Sequence, residues 1–400
     1  MDMQSDALAR VQPSATMAIT QLAQELKARG EDVIALSAGE PDFDTPEHVR
    51  AAGIAAINEG RTRYTYVDGI TELKRAVAEK FRRDNGLDVG PEDCMISAGG
   101  KQVIFNALLA TLNAGDEVVI PAPYWVSYPE IVRLAGAEPV IAPSSQAEGF
   151  KLTPAALEAA ISPATKWLIL NTPSNPSGAA YSAGELRALA DVLRAHPQVH
   201  VLTDDIYETL VYDGRQFATI AQVAPDLAGR TITMNGVSKS HAMTGWRIGY
   251  CTGPRPILKA MTKLQGQSTT NPSSISQWAA LAALEGPQDF LDDWRAAFQA
   301  RRDLVVAGLN ACDVLECLVP EGAFYVFPSC ARALGMTSAG GRKIATDEDF
   351  VMALLAEHGV ALVHGSAFGL AGHVRLSYAA SEAELREAVT RIQAFCAGLG

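Results

Sequence analysis

Through the middle of the chain, apolar runs of strand length alternate with segments whose apolar residues recur at helical spacing. The pattern predicts strands at 33–36, 94–97, 117–121, 139–141, 167–170, from Val199, and at 230–234, with alternation resuming over 247–252. Helices are predicted at 14–29, where Met17, Ile19, Leu22 and Leu26 fall broadly on one side and Gly30 is the stop. Others follow at 70–84, 103–112, after Pro154, at 183–196 and from Pro254 onward, including a long one over 289–309. Repeated strand–helix units of this kind imply an α/β fold, with a mostly parallel sheet covered by helices on both faces. This large domain is placed at residues 48–291. Beyond it the order changes to strand 323–327, helix 346–358, strands 360–363 and 373–378, and a last helix from Glu382. These form a smaller α+β domain of residues 1–47 plus 292–400.

Composition narrows the class. A chain of 400 residues with 48% hydrophobic content buries a large core. Its net charge of -12 argues against broad nucleic-acid binding. The apolar runs are strand-length and end at proline, as at Val118-Val-Ile120, so no membrane span is expected. The opening residues carry Asp2 and Asp6 and no apolar stretch, so no secretory signal is expected. Cysteines 94, 251, 312, 317, 330 and 396 form no C-x-x-C pair, which suits free thiols in a reducing cytoplasm. His196 and His200 are separated by Pro197 and a strand, so no metal site is expected.

Candidate chemistry gathers in the turns after the strands. Lys239 lies between two apolar strands and is flanked by small residues. A desolvated lysine there favours the neutral amine and attacks aldehydes. Gly99-Gly100-Lys101 precedes a helix, where free backbone N–H groups and the helix dipole make an anion site; taken alone, Gly-Gly is also a common turn. It is neither a Walker loop nor a G-x-G-x-x-G fingerprint, which counts against a nicotinamide dehydrogenase. Trp125 follows strand 117–121, at the sheet edge where open α/β sheets bind ligands. Asn171-Thr-Pro-Ser-Asn-Pro-Ser-Gly178 holds two X-Pro bonds that narrow the backbone around Asn175. Asp204 ends a strand, and Arg375 lies in an otherwise apolar one, which is costly unless the charge is paired.

Gly236, Ser238, Lys239, Ala242, Gly245, Arg247 and Gly249 together match the pyridoxal-phosphate attachment signature of class I aminotransferases. From Pro13 to about Phe395 the chain resembles the bacterial aspartate and prephenate aminotransferase subgroup of fold-type I enzymes. The resemblance implies a homodimer with shared active sites, pyridoxal 5'-phosphate as cofactor, and amino acids and 2-oxo acids as substrates. It makes Lys239 the residue that holds the cofactor covalently and then serves as general base. Asp204 is placed under the pyridine nitrogen, Tyr207 and Asn175 beside the phenolate oxygen, and Trp125 on the ring face. Arg247, the Gly99-Gly100-Lys101 turn, Ser238, and Tyr64 from a neighbouring subunit are assigned to the phosphate. The usual phosphate serine lies three residues before the lysine, where this chain has Gly236. Gly39 and Arg375 are expected at the substrate α-carboxylate, and Lys101 with Thr16 at the second carboxylate of a diacid. Related sequences act on aromatic amino acids or alanine, and the fold also serves as the effector-sensing half of transcription regulators.

Overall fold

The computed structural model describes residues 3–400. Its strands are β1 (Ile34–Ala35), β2 (Cys94–Ser97), β3 (Glu117–Pro121), β4 (Glu138–Ala142), β5 (Thr165–Asn171) and β6 (His200–Asp204). They continue with β7 (Thr231–Gly236), β8 (Gly249–Thr252), β9 (Tyr325–Val326), β10 (Val360–Ala361), β11 (Val363–His364) and β12 (Val374–Ser377). A seven-stranded sheet has the order β2-β8-β7-β6-β5-β3-β4. All its pairings are parallel except the two made by β8. Its strands are near-continuously buried, as expected where helices cover both faces of a sheet. This is the mostly parallel α/β architecture that the strand–helix alternation predicts.

Because β8 runs against its neighbours, it starts at the edge where β2, β3, β5, β6 and β7 end. The turns after those five strands and the turn before β8 therefore converge on one rim. A second layer faces it. There β1 pairs with β10, and β12 lies between β11 and β9. The predicted strand 360–363 is thus split between two small sheets, and the predicted strand 323–327 shrinks to Tyr325–Val326. The core of this layer also takes in Ile206, Tyr207 and Leu210 from the turn after β6, so the two layers share side chains beside the rim.

Helix starts follow their chemistry. Ser14, Ser182, Thr346 and Ser381 each cap a helix by accepting from a backbone N–H of the first turn. In the helix Ala15–Ala28 the buried residues are Ile19 and Ala23, while Met17 is exposed, contrary to the predicted stripe. The helix predicted at 103–112 starts earlier, at Gly100. Glu47–Asn58 is a helix that the periodicity did not reveal. Its buried residues are Val49, Gly53 and Ala56, while Ile54 and Ile57 face outward, so the usual apolar stripe is missing. Among the described residues no helix is long and apolar enough to cross a membrane.

Candidate active site

A cavity of about 490 Å³ opens between the rim and the second layer. The rim supplies Gly100, Lys101, Trp125, Asn175, Asp204, Tyr207, Ser238, Lys239 and Arg247. Arg375 enters from β12, and Thr16 and Gly39 from the amino-terminal segment. Of the sequence-selected residues only Gly99 and Tyr64 are absent from its lining. Gly99 stands behind it at φ +91°, where a Cβ would come within 2.4 Å of the Arg247 guanidinium, so only glycine fits. Tyr64 is 88% exposed on a loop and reaches no site in its own chain.

Lys239 sits in the β7–β8 turn and donates from Nζ to the Gly39 carbonyl at 2.5 Å. Burial moves its pKa down to about 8, with Arg247 and Arg375 pushing the same way and Glu40 and Asp204 opposing. An amine so placed is a good nucleophile and proton carrier near neutral pH. The turn is strained, since Ala242 and Arg247 both adopt positive φ, at 49° and 57°. External anchors hold it. Thr45 Oγ1 donates to the Ala242 carbonyl at 2.7 Å, and Thr244 Oγ1 donates to Glu40 at 2.9 Å. Arg247 bonds the Thr244 carbonyl through Nη1 at 2.8 Å and meets no carboxylate there.

Asp204, at the end of β6, is 5% exposed and receives the Tyr128 hydroxyl at 2.7 Å. Burial raises its pKa to about 6, while the Tyr128 hydrogen bond and Lys239 oppose the rise. Asn171 ties this strand end to the next loop. Its Nδ2 donates to the Asp204 carbonyl at 2.8 Å, and its Oδ1 accepts from the Asn175 N–H at 2.7 Å. The Tyr207 hydroxyl shares a hydrogen bond of 2.9 Å with Tyr325. Burial pushes the pKa values of both phenols up, so they stay protonated and act as hydrogen-bond donors.

Arg375 decides the character of the cavity. It is 1% exposed and packed between the rings of Tyr325 and Phe368, at 4.8 and 4.9 Å. Its hydrogen bonds go to neutral oxygens: Nη1 donates to Asn175 Oδ1 at 3.0 Å and Nη2 to the Ser37 carbonyl at 2.5 Å. Nε has no partner, and no carboxylate pairs with the group among the described residues. A structural ion pair, the plain explanation for an arginine in an apolar strand, is thereby excluded. A buried cation left this way is built to receive an anion.

The remaining features fit a phosphorylated, ring-bearing aldehyde. No side chain caps the helix that starts at Gly100, so its dipole end and first free N–H groups are open to an anion beside Arg247. Trp125 offers a half-buried ring face, with Lys101 Nζ 4.8 Å from the ring centroid. Thr16 Oγ1 is buried without a partner at the cavity wall. At Gly39 a Cβ would lie 2.8 Å from the Tyr325 hydroxyl, so the absence of a side chain keeps the cavity open. Tyr128, Tyr325 and Asn171 are the members that sequence reasoning missed. Each acts on a residue distant in the chain, and nothing local marks them.

A buried lysine, a buried carboxylate, two phenols and a set of cations gathered between the two layers suit the chemistry of a pyridoxal-phosphate-dependent transaminase of fold type I. Comparison agrees: the chain belongs to the class I and II aminotransferases, whose family model matches residues 31–392. It is 60% identical over 395 residues to the aspartate/prephenate aminotransferase of Cereibacter sphaeroides, covering 99% of each chain. The crystal structure of the aspartate aminotransferase from Rhizobium meliloti superposes with a TM-score of 0.97 at 53% identity, covering 100% of both chains. That of the Thermus thermophilus aspartate aminotransferase with maleate gives a TM-score of 0.92 at 44% identity, over 99% of this chain and 100% of the other.

Proposed function

We propose that this aminotransferase moves the amino group reversibly between L-aspartate and 2-oxoglutarate, giving oxaloacetate and L-glutamate, and that it also converts prephenate to arogenate. The observation that carries the substrate class is a cavity with cations on opposite walls. Arg375 comes from one layer and Lys101 from the other, with Lys239 lining the same space. A diacid offers one carboxylate to each. The relative named for aspartate and prephenate, and the Thermus structure holding the diacid maleate, support the same reading.

The bound cofactor supplies a carbonyl that takes up the amino group and a ring that accepts electrons from the substrate carbon. The chain's own groups do the rest. Arg375 and the Gly39 backbone bind the α-carboxylate, in the forked geometry that arginine suits and lysine does not. Lys239 Nζ would hold the cofactor and, when displaced from it, would take the proton from the substrate α-carbon. Asp204, held by Tyr128, keeps a negative charge at the ring nitrogen, while Tyr207 and Asn175 hold the phenolate side. Arg247, the backbone of the Gly99-Gly100-Lys101 turn and Ser238 would hold the phosphate, and Trp125 would cover the ring.

Lys101 and the partnerless Thr16 hydroxyl take the second carboxylate in this reading. Lys101→Ser is therefore expected to lower kcat/KM for aspartate, glutamate and prephenate by about ten- to a hundredfold, through loss of a charge-assisted contact. Alanine should be nearly unaffected. Equal losses on all of these substrates would assign Lys101 to the cofactor instead.

The enzyme is read as a cytoplasmic homodimer, with the division at 48–291 and 1–47 plus 292–400 retained. Exposed Ile54, Ile57, Tyr64 and Tyr66 support a subunit contact on this face. Tyr64 then reaches the partner's phosphate site. Mixing Tyr64→Phe and Lys239→Ala subunits should give heterodimers with both lesions in one site and the other site intact, near half activity. Kinetics that place the lesions in separate sites would return Tyr64 to its own subunit.

A further inference from the structure

The structure holds all six cysteines as thiols, and two of them meet at the ends of two packed helices. Helices Phe290–Asn310 and Glu382–Ala397 approach closely where Gly308 leaves room: a Cβ there would come within 2.3 Å of Val389. One turn further on, the Gly308 carbonyl accepts from Gln393 Nε2 at 2.9 Å and from Cys312 Sγ at 3.9 Å. Cys396 follows Gln393 by one helical turn on the same side of its helix, which turns it toward Cys312 beside the same Gly308 carbonyl. Both belong to one core cluster, with Cys312 6% and Cys396 8% exposed.

We propose that Cys312 and Cys396 form a reversible disulfide by exchange with a low-molecular-weight disulfide such as oxidised glutathione, a redox staple between the last helix and the end of helix Phe290–Asn310. The chemistry balances. Cys312, as the thiolate, attacks one sulfur of the reagent, breaks its S–S bond and releases one thiol. The Cys396 sulfur, losing its proton, then attacks the Cys312 sulfur and releases the second thiol. Two protein thiols are oxidised and one reagent disulfide is reduced to two thiols. The neighbouring Cys396 thiol pulls the Cys312 pKa down while that of Cys396 is pushed up, so Cys312 is the attacking thiol. Access needs release of the final helical turn together with the two backbone hydrogen bonds that tie Gly400 to Thr337. The other thiols of this cluster, Cys317 and Cys330, are buried, and burial pushes both pKa values up to about 12.

The test treats the full-length, cofactor-loaded enzyme with oxidised glutathione and maps peptides without reduction. The expected product joins the Cys312 and Cys396 peptides with loss of two hydrogens. Closing so long a loop should raise Tm by about 2–5 °C, and dithiothreitol should reverse the rise. In Cys396→Ser, glutathione should stay attached to Cys312, because nothing resolves the mixed disulfide. If that variant does not fold, the peptide map of the native chain decides alone. Unlinked peptides, a link through Cys330, or glutathione retained on Cys312 while Cys396 is present would each overturn the proposal.

Discussion

Lys239→Ala is expected to leave a folded protein that still takes up pyridoxal phosphate but transaminates about 10⁴-fold more slowly or worse. In the proposed reading one atom, Nζ, is both nucleophile and proton carrier, and each role alone is worth orders of magnitude. Burial, which lowers its pKa to about 8, lets a useful fraction of neutral amine exist near pH 7. Alanine adds no bulk beside Gly39, so the loss should fall on kcat rather than on stability. The wild-type protein should absorb in the near-visible range, and borohydride should fix the cofactor to Lys239. Near-normal turnover of the alanine variant, or borohydride labelling at another lysine, would remove Lys239 from the mechanism.

Arg375→Met is expected to move activity and stability in opposite directions. The guanidinium is buried with no carboxylate partner, so the apoprotein bears a desolvation penalty that a substrate carboxylate relieves. Replacing it should cost about 3–5 kcal/mol of transition-state binding, on the order of 10²–10⁴ in kcat/KM. In the apoprotein the buried charge disappears, which is worth several kcal/mol on the same physical grounds. Two neutral acceptors, Asn175 Oδ1 and the Ser37 carbonyl, lose a donor, at roughly 1 kcal/mol each. Methionine keeps an unbranched apolar stem between the Tyr325 and Phe368 rings. The net effect on apoprotein stability should be a gain of about 1–2 kcal/mol in denaturant unfolding. A variant both inactive and destabilised would mean that Arg375 is structural.

Features of one short segment at a time were legible in the sequence. The buried strands announced themselves as apolar runs ending in glycine or proline, because a parallel sheet covered on both faces needs them. The turns behind those runs carried the reactive residues, and Lys239 could be selected from its own neighbours. The helix Glu47–Asn58 escaped because its inward face is small and two isoleucines point outward, against the ordinary pattern. The strand predicted at 360–363 was one apolar run, but its two halves find partners in different sheets. Hydrogen-bond pairing, and not hydrophobicity, divides it.

By itself, then, the sequence determined the large sheet, the rim on which the turns would gather, and which lysine, carboxylate and arginine would line the cavity there. Only the tertiary structure decided their chemical state. Tyr128 reaches Asp204 from an earlier turn, Tyr325 reaches Tyr207 from the other layer, and Asn171 sets both Asp204 and Asn175. No short window of sequence contains the Tyr128–Asp204, Tyr325–Tyr207 or Asn171–Asp204 pair, because each joins separate elements. Burial is likewise a property of the assembled layers. It lowers the pKa of Lys239, raises that of Asp204, and leaves Arg375 charged and without an anion, facing the space where a substrate carboxylate would relieve it.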